Sequence, residues 1–276
     1  MLGKLLKHEW KSIWKIPTIL VLVLQVIALG AGLTFIYPFW KSEMVGLDIL
    51  IMLVWLLFYF AIIAVSIGIT LYLAVHFYKS MYTDEGYLTH TLPVTSHQLL
   101  ISKILPMTGW FYIGMLAVFL ALFLFGSAAV TFLYSGDMGL LEMIKYMVET
   151  VLEGLEQMGV FTSDLIGFLL SVVLMLLVSG FSGTMMMVGS VSLGQLIGKH
   201  KILGSIGAYL VINFISQTIS TIAMIPMMIG SMGEEMINVF EVLTPTYLIM
   251  TVISALFAVG LYFLSNYIVS RKLNLD

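Results

Sequence analysis

The sequence predicts an all-α integral membrane protein, and three observations carry that expectation. Apolar residues make up 61% of the 276 and charged residues only 10%, with a mean hydropathy of +1.08, whereas about a quarter of a soluble domain is charged. Six stretches contain no Asp, Glu, Lys or Arg: 16–40, 49–78, 104–136, 165–198, 202–233 and 242–270. Each exceeds the ~20 residues that cross a bilayer as a helix. The charges between them segregate by sign. With both termini inside, ten of the 12 Lys and Arg fall on the inner side and only Lys41 and Lys145 outside, the bias that sets orientation in membranes. Of the 15 acidic residues, only Glu9, Asp84, Glu85 and Asp276 share the inner side.

Trimmed of their ends, the stretches predict six transmembrane helices at about 16–38, 49–76, 104–134, 165–197, 202–230 and 243–269. The longest must tilt, project beyond the lipid or break. Pro226, Gly230 and Gly233 mark the fifth as the candidate for a break, with a short re-entrant helix or plain termination as the two outcomes. No repeat, linker or soluble segment interrupts the chain, so 1–276 reads as a single transmembrane domain. There is no cysteine, which removes disulfides, thiolate metal sites and cysteine nucleophiles. Nothing points to nucleic acid.

Residues 1–15 predict an amphipathic surface helix. At 100° per residue Lys4, Lys7, His8, Lys11 and Lys15 share one face, while Leu2, Leu5, Leu6, Trp10 and Ile13 share another. The apolar run that follows is too long for the core of a signal peptide, so the segment is expected to be retained. A second amphipathic helix is expected outside, between spans three and four. There Leu141, Ile144, Met147, Val148, Val151, Leu155 and Met158 oppose Glu142, Lys145, Glu149, Glu153 and Glu156.

The long polar segment 83–100 predicts a helical elbow standing clear of the inner leaflet. Tyr87, Leu88, Thr91 and Leu92 give a short helix an apolar face, with Thr83 and Asp84 as candidate caps and Pro93 as its stop. Thr95 with Gln98 forms a capping-box pattern that starts a second helix running into span three. An apolar face exposed on such an elbow calls for a protein to cover it.

Two enzyme patterns are incomplete. The GFSG at 180–183 matches a rhomboid-like serine motif, yet span six holds no histidine to act as base, and all five histidines lie toward the inner side. The HEWKS at 8–12 begins like a zinc-binding helix but puts Ser12 where the second ligand belongs. The spans carry neutral polar groups, including Gln25, Ser66, Thr70, Gln195, Asn213, Gln217 and Asn266, with His76 near the inner end of span two. Such groups serve as interhelical hydrogen bonds or as ligands in a path. Ion-coupled carriers usually hold ionisable groups within the spans, and none of the six cores has an Asp, Glu, Lys or Arg. Ser190, Gly194 and Gly198 recur every fourth residue and let helix backbones approach, within the subunit or across a dimer. The 20 methionines read as packing filler, or as the lining of a path for bulky amphipathic cargo.

DEGYLTHTLPVTSHQLLISKIL, residues 84–105, resembles the inner loop after the second span of bacterial ABC-2-type permeases, with DEGYLT, TLPV and an LL-SK-L run. The likeness covers about 22 residues, and the six-span topology with a basic N-terminal helix agrees with it. It implies a multi-pass protein of the bacterial cell membrane, the permease subunit of an exporter. Its loop is a coupling helix docked on a separate ATP-binding subunit. Asp84, Glu85, Gly86, Tyr87, Leu88, Leu92 and Pro93 then contact the ATPase, and the short loop of Gly198, Lys199, His200 and Lys201 is a second contact by its location. The resemblance also implies pairing with a second permease subunit, identical or different. No G-x-x-x-x-G-K-[ST] loop occurs in the chain, so ATP and magnesium belong to the partner and the chain itself is expected not to be an enzyme. Cargo is not legible. The alternatives are a membrane sensor or assembly component that holds a partner without transport, and an ion-coupled transporter.

Overall fold

The computed structural model describes residues 2–35, 46–83, 85–87, 91, 93–133, 140–157, 162–197, 200–231 and 239–271. Among them there is no strand, and eight long helices account for nearly all: α1 (Leu2–Ile13), α2 (Lys15–Leu33), α3 (Leu47–Tyr82), α4 (Ser96–Leu133), α5 (Leu140–Gln157), α6 (Thr162–Gly194), α7 (Lys201–Ser231) and α8 (Val239–Arg271). Six of these, α2, α3, α4, α6, α7 and α8, contain apolar segments long enough to cross a membrane.

The expected breaks fall where local chemistry puts them, with one exception. Trp14 separates α1 from α2, and its carbonyl accepts both the Thr18 N–H (3.1 Å) and the Thr18 hydroxyl (2.6 Å). Pro17 sits in the first turn of α2, where a missing N–H costs nothing. The exception is Pro226, which neither breaks nor ends α7: the helix runs through it to Ser231. Membrane helices tolerate such a proline because neighbouring groups adjust around the freed carbonyl. Pro106 in α4 and Pro245 in α8 are likewise internal. Gly233 lies outside the described residues.

The chain divides into two compact units. The first comprises residues 1–9, 74–108 and 151–276, the second 10–73 and 109–150. In the first unit α6, α7 and α8 pack on one another. Met185, Val188, Ala258 and Ile268 are among their buried residues. Glycines set the closest approaches. A Cβ on Gly194 would lie 2.0 Å from Ser205 Oγ and 2.5 Å from its backbone nitrogen, and one on Gly189 would lie 2.8 Å from Leu261 Cδ2. Gly194 therefore packs α6 on α7 within the chain, the first of the two roles its spacing allowed. Gly198 is outside the described residues.

In the second unit Gln25 Nε2 donates to the Ala117 carbonyl at 2.7 Å, tying α2 to α4. Trp55 Nε1 donates to Thr34 Oγ1 at 2.9 Å, and Phe35, Trp55, Phe58 and Phe125 form one aromatic cluster with centroids 4.8 to 6.1 Å apart. The helix expected between spans three and four is present as α5, with Glu142, Lys145, Glu149 and Glu153 exposed and a solvent-facing Lys145–Glu149 pair at 3.8 Å. Ile144, Val148 and Leu152 on the same helix are exposed as well.

Candidate functional site

The elbow between α3 and α4 stands on two unusually long arms. With 36 and 38 residues and 1.5 Å of rise per residue, they reach roughly 54 and 57 Å, against ~30 Å of hydrocarbon. At its first corner the Gly86 N–H donates to the Thr83 carbonyl at 2.7 Å and the Tyr87 N–H to the same carbonyl at 3.3 Å. The turn is so tight that a Cβ on Gly86 would lie 2.5 Å from the Met81 carbonyl oxygen; only glycine fits. Tyr87, next to it, is 62% exposed. Thr83 does not cap this turn with its side chain as expected. Its hydroxyl turns back to the Lys79 carbonyl at 2.6 Å, a bond threonine makes readily inside a helix.

The second corner carries the capping box. The Gln98 N–H donates to Thr95 Oγ1 at 3.3 Å, and the Thr95 N–H donates to Gln98 Oε1 at 3.4 Å. This satisfies two N–H groups at the start of α4. Glu85 and Pro93 are exposed, while Asp84, Leu88, His90 and Leu92 lie outside the described residues. In the second loop His200 is exposed, Lys201 opens α7, and Gly198 and Lys199 are outside the described residues.

Three side-chain ties bracket the elbow. Tyr82, the last residue of α3, donates to Ser192 Oγ of α6 at 2.8 Å. His97, in the first turn of α4, bonds the Tyr262 hydroxyl of α8 through Nδ1, and the two rings meet edge to face. The strongest tie is ionic. Glu9 of α1 accepts from Lys103 Nζ of α4 at 2.5 Å on one carboxylate oxygen and meets His76 Nε2 of α3 at 3.2 Å on the other. His76 lies seven residues before Thr83 and Lys103 seven after Ser96, so a single carboxylate clasps both arms at matching distances from the corner.

The electrostatics of this clasp are those of a compensated buried charge. Lys103 is only 2% exposed and Glu9 15%. Burial pushes the Glu9 carboxyl up, but the hydrogen bond with His76 and the nearby charge and hydrogen bond of Lys103 outweigh it, holding Glu9 below the ordinary carboxylate value. Sequence reading missed the clasp because Lys103 and Glu9 counted only as flanking charges. The signal was present: position 9 falls on the apolar stripe of α1 with Leu2, Leu5, Leu6 and Ile13, away from Lys4, Lys7, His8 and Lys11, all four of which are exposed.

The other candidate residues are not gathered into a site. Gln195 Nε2 donates to its own helix at Val191 (3.1 Å), Asn213 Nδ2 does the same at Tyr209 (3.0 Å), and Gln217 is exposed. Ser182 of the GFSG motif is buried, and its hydroxyl donates to the Ser254 carbonyl of α8 at 3.1 Å. It is a packing bond between helices. No protein-family model, curated protein or solved structure matches this chain.

Proposed function

We propose that the chain is the permease subunit of an ATP-driven exporter in a bacterial cell membrane, and that its elbow docks a separate ATP-binding subunit. In this reading both termini and the elbow face the cytoplasm, α1 lies along the inner surface, α5 is extracytoplasmic, and two permease subunits pair around the path. One observation carries it: the elbow is a bracketed structure whose turn leaves an aromatic, Tyr87, exposed. A loop that merely joined two spans would need neither the glycine-only corner at Gly86 nor the ties from Glu9, Tyr82 and His97. A lever that receives a push needs both. The resemblance of 84–105 to the ABC-2 loop names the kind of motor.

The test is the pair Tyr87→Ala and Leu88→Ala. The double variant should remain inserted and folded yet lose the ATPase subunit on purification, and the intact complex rather than this chain alone should hydrolyse ATP. Retention of the ATPase by the variant, or hydrolysis by the lone chain, overturns the reading.

An ion-coupled carrier finds one observation in its favour, because Lys103 is an ionisable group within the segment Ser96–Ala129. The clasp argues against a proton cycle through Glu9. A carboxylate held below its ordinary value stays charged near neutrality and takes up no proton there.

A further inference from the structure

The junction of α1 and α2 holds a groove of about 620 Å³ lined by Trp10, Lys11, Trp14, Thr18 and Trp110. Three of its five lining residues are tryptophans, one is a lysine and none is acidic. Trp10 stacks on Trp110 with ring centroids 5.7 Å apart and planes 20° from parallel. That stacking depends on Gly109, where a Cβ would lie 2.8 Å from the Trp10 ring. The aromatic wall is thus a built feature of the second unit.

Two unmet needs point to what the groove takes. Lys11 is exposed and forms no ion pair among the described residues. The one acidic residue of α1, Glu9, is engaged by Lys103, so α1 offers Lys11 no counter-charge. Trp110 is 5% exposed and its Nε1–H is buried with no acceptor among the described residues, a state that calls for an oxygen from elsewhere. An anion satisfies the lysine, an oxygen satisfies the indole and an apolar chain satisfies the tryptophan walls.

We propose that this groove binds the phosphate headgroup region of an anionic phospholipid drawn from the surrounding bilayer. Lys11 faces the phosphate, and the glycerol and upper acyl chain lie against Trp10 and Trp14. Trp110, which lines the same groove, gives its Nε1–H to a headgroup oxygen. A plain interfacial belt of tryptophans, which anchors a helix at any headgroup, shows no such selectivity. This inference does not rest on the transport reading.

Native mass spectrometry of the full chain in detergent, titrated with phosphatidylglycerol or phosphatidylcholine, tests it. The expected result is retention of one phosphatidylglycerol per chain with phosphatidylcholine held more weakly. Lys11→Gln should reduce that retention about fivefold, the worth of one cation beside anionic lipid, and Trp110→Phe by roughly three- to tenfold for the lost donor. Lys11→Arg should keep it, as should Lys145→Gln on exposed α5. Equal retention of the two lipids shows a belt and overturns the proposal. Displacement by millimolar inorganic phosphate shows a free-anion site and overturns the lipid assignment. An unchanged Lys11→Gln removes the proposed charge contact and overturns it as well.

Discussion

Glu9→Gln is the sharpest perturbation of the clasp, because it keeps the shape of the side chain and removes only its charge. Lys103 is then left charged at 2% exposure with no anion, and His76 loses its carboxylate partner. Breaking one side of a buried pair costs about 3–5 kcal/mol. Glu9 itself is 15% exposed, so water screens part of the interaction and the lower end, about 3 kcal/mol, is expected. At roughly 2–4 °C per kcal/mol for a chain of this size, the melting temperature in detergent should fall by about 6–12 °C. The pH dependence follows from the direction of the Glu9 shift. Its folded carboxyl lies below the ordinary value of 4.5, so the clasp's contribution is complete above that value and is lost as pH drops through the lower, folded one. Wild type should therefore lose its advantage over Glu9→Gln in that acidic window. Glu9→Gln combined with Lys103→Met should recover most of the loss, since exchanging a whole buried pair for neutral groups is close to neutral. A melting temperature for Glu9→Gln within about 1 °C of wild type, or a double variant no better than the single one, refutes the clasp as a stabilising element.

Gly86→Ala forces a Cβ to within 2.5 Å of the Met81 carbonyl oxygen, so the corner must open at a cost of about 1–3 kcal/mol. Faster protease cleavage near residue 86, with the six spans intact, is the expected readout. Thr95→Ala removes one partner of the capping box and should destabilise the start of α4 by about 1 kcal/mol, seen as faster amide exchange over 96–99. Ser182→Ala loses only the bond to the Ser254 carbonyl and should lower stability by about 1 kcal/mol while leaving the function of the chain intact. Abolished function with normal stability contradicts the packing role given to this serine.

The spans were legible because lipid imposes a coarse rule: charge-free runs longer than ~20 residues become helices, and 49–78 and 104–129 are helical throughout. The capping box at Thr95 and Gln98 was equally readable, since it depends on residues three apart. Contacts across long separations were not. Nothing local to Glu9 says that its partners stand at 76 and 103, and only its place on the apolar stripe of α1 hinted that it turned inward. Thr83 was read as a cap from its type alone, whereas an extra turn of α3 gave its hydroxyl a nearer carbonyl at Lys79. Pro226 with Gly230 marked the fifth span for a break or an end; the proline stays inside α7, which the membrane tolerates, and the helix runs on to Ser231.

The contact of Gly194 with Ser205 brings the two main chains together with only the short serine hydroxyl at the joint and no long side chain to compress or swing. A joint of that kind has no play. Whatever rearrangement this protein undergoes, α6 and α7 should travel as one plate at this corner, and the sliding must be taken up at seams where longer side chains, such as the methionines at 185 and 187, can repack.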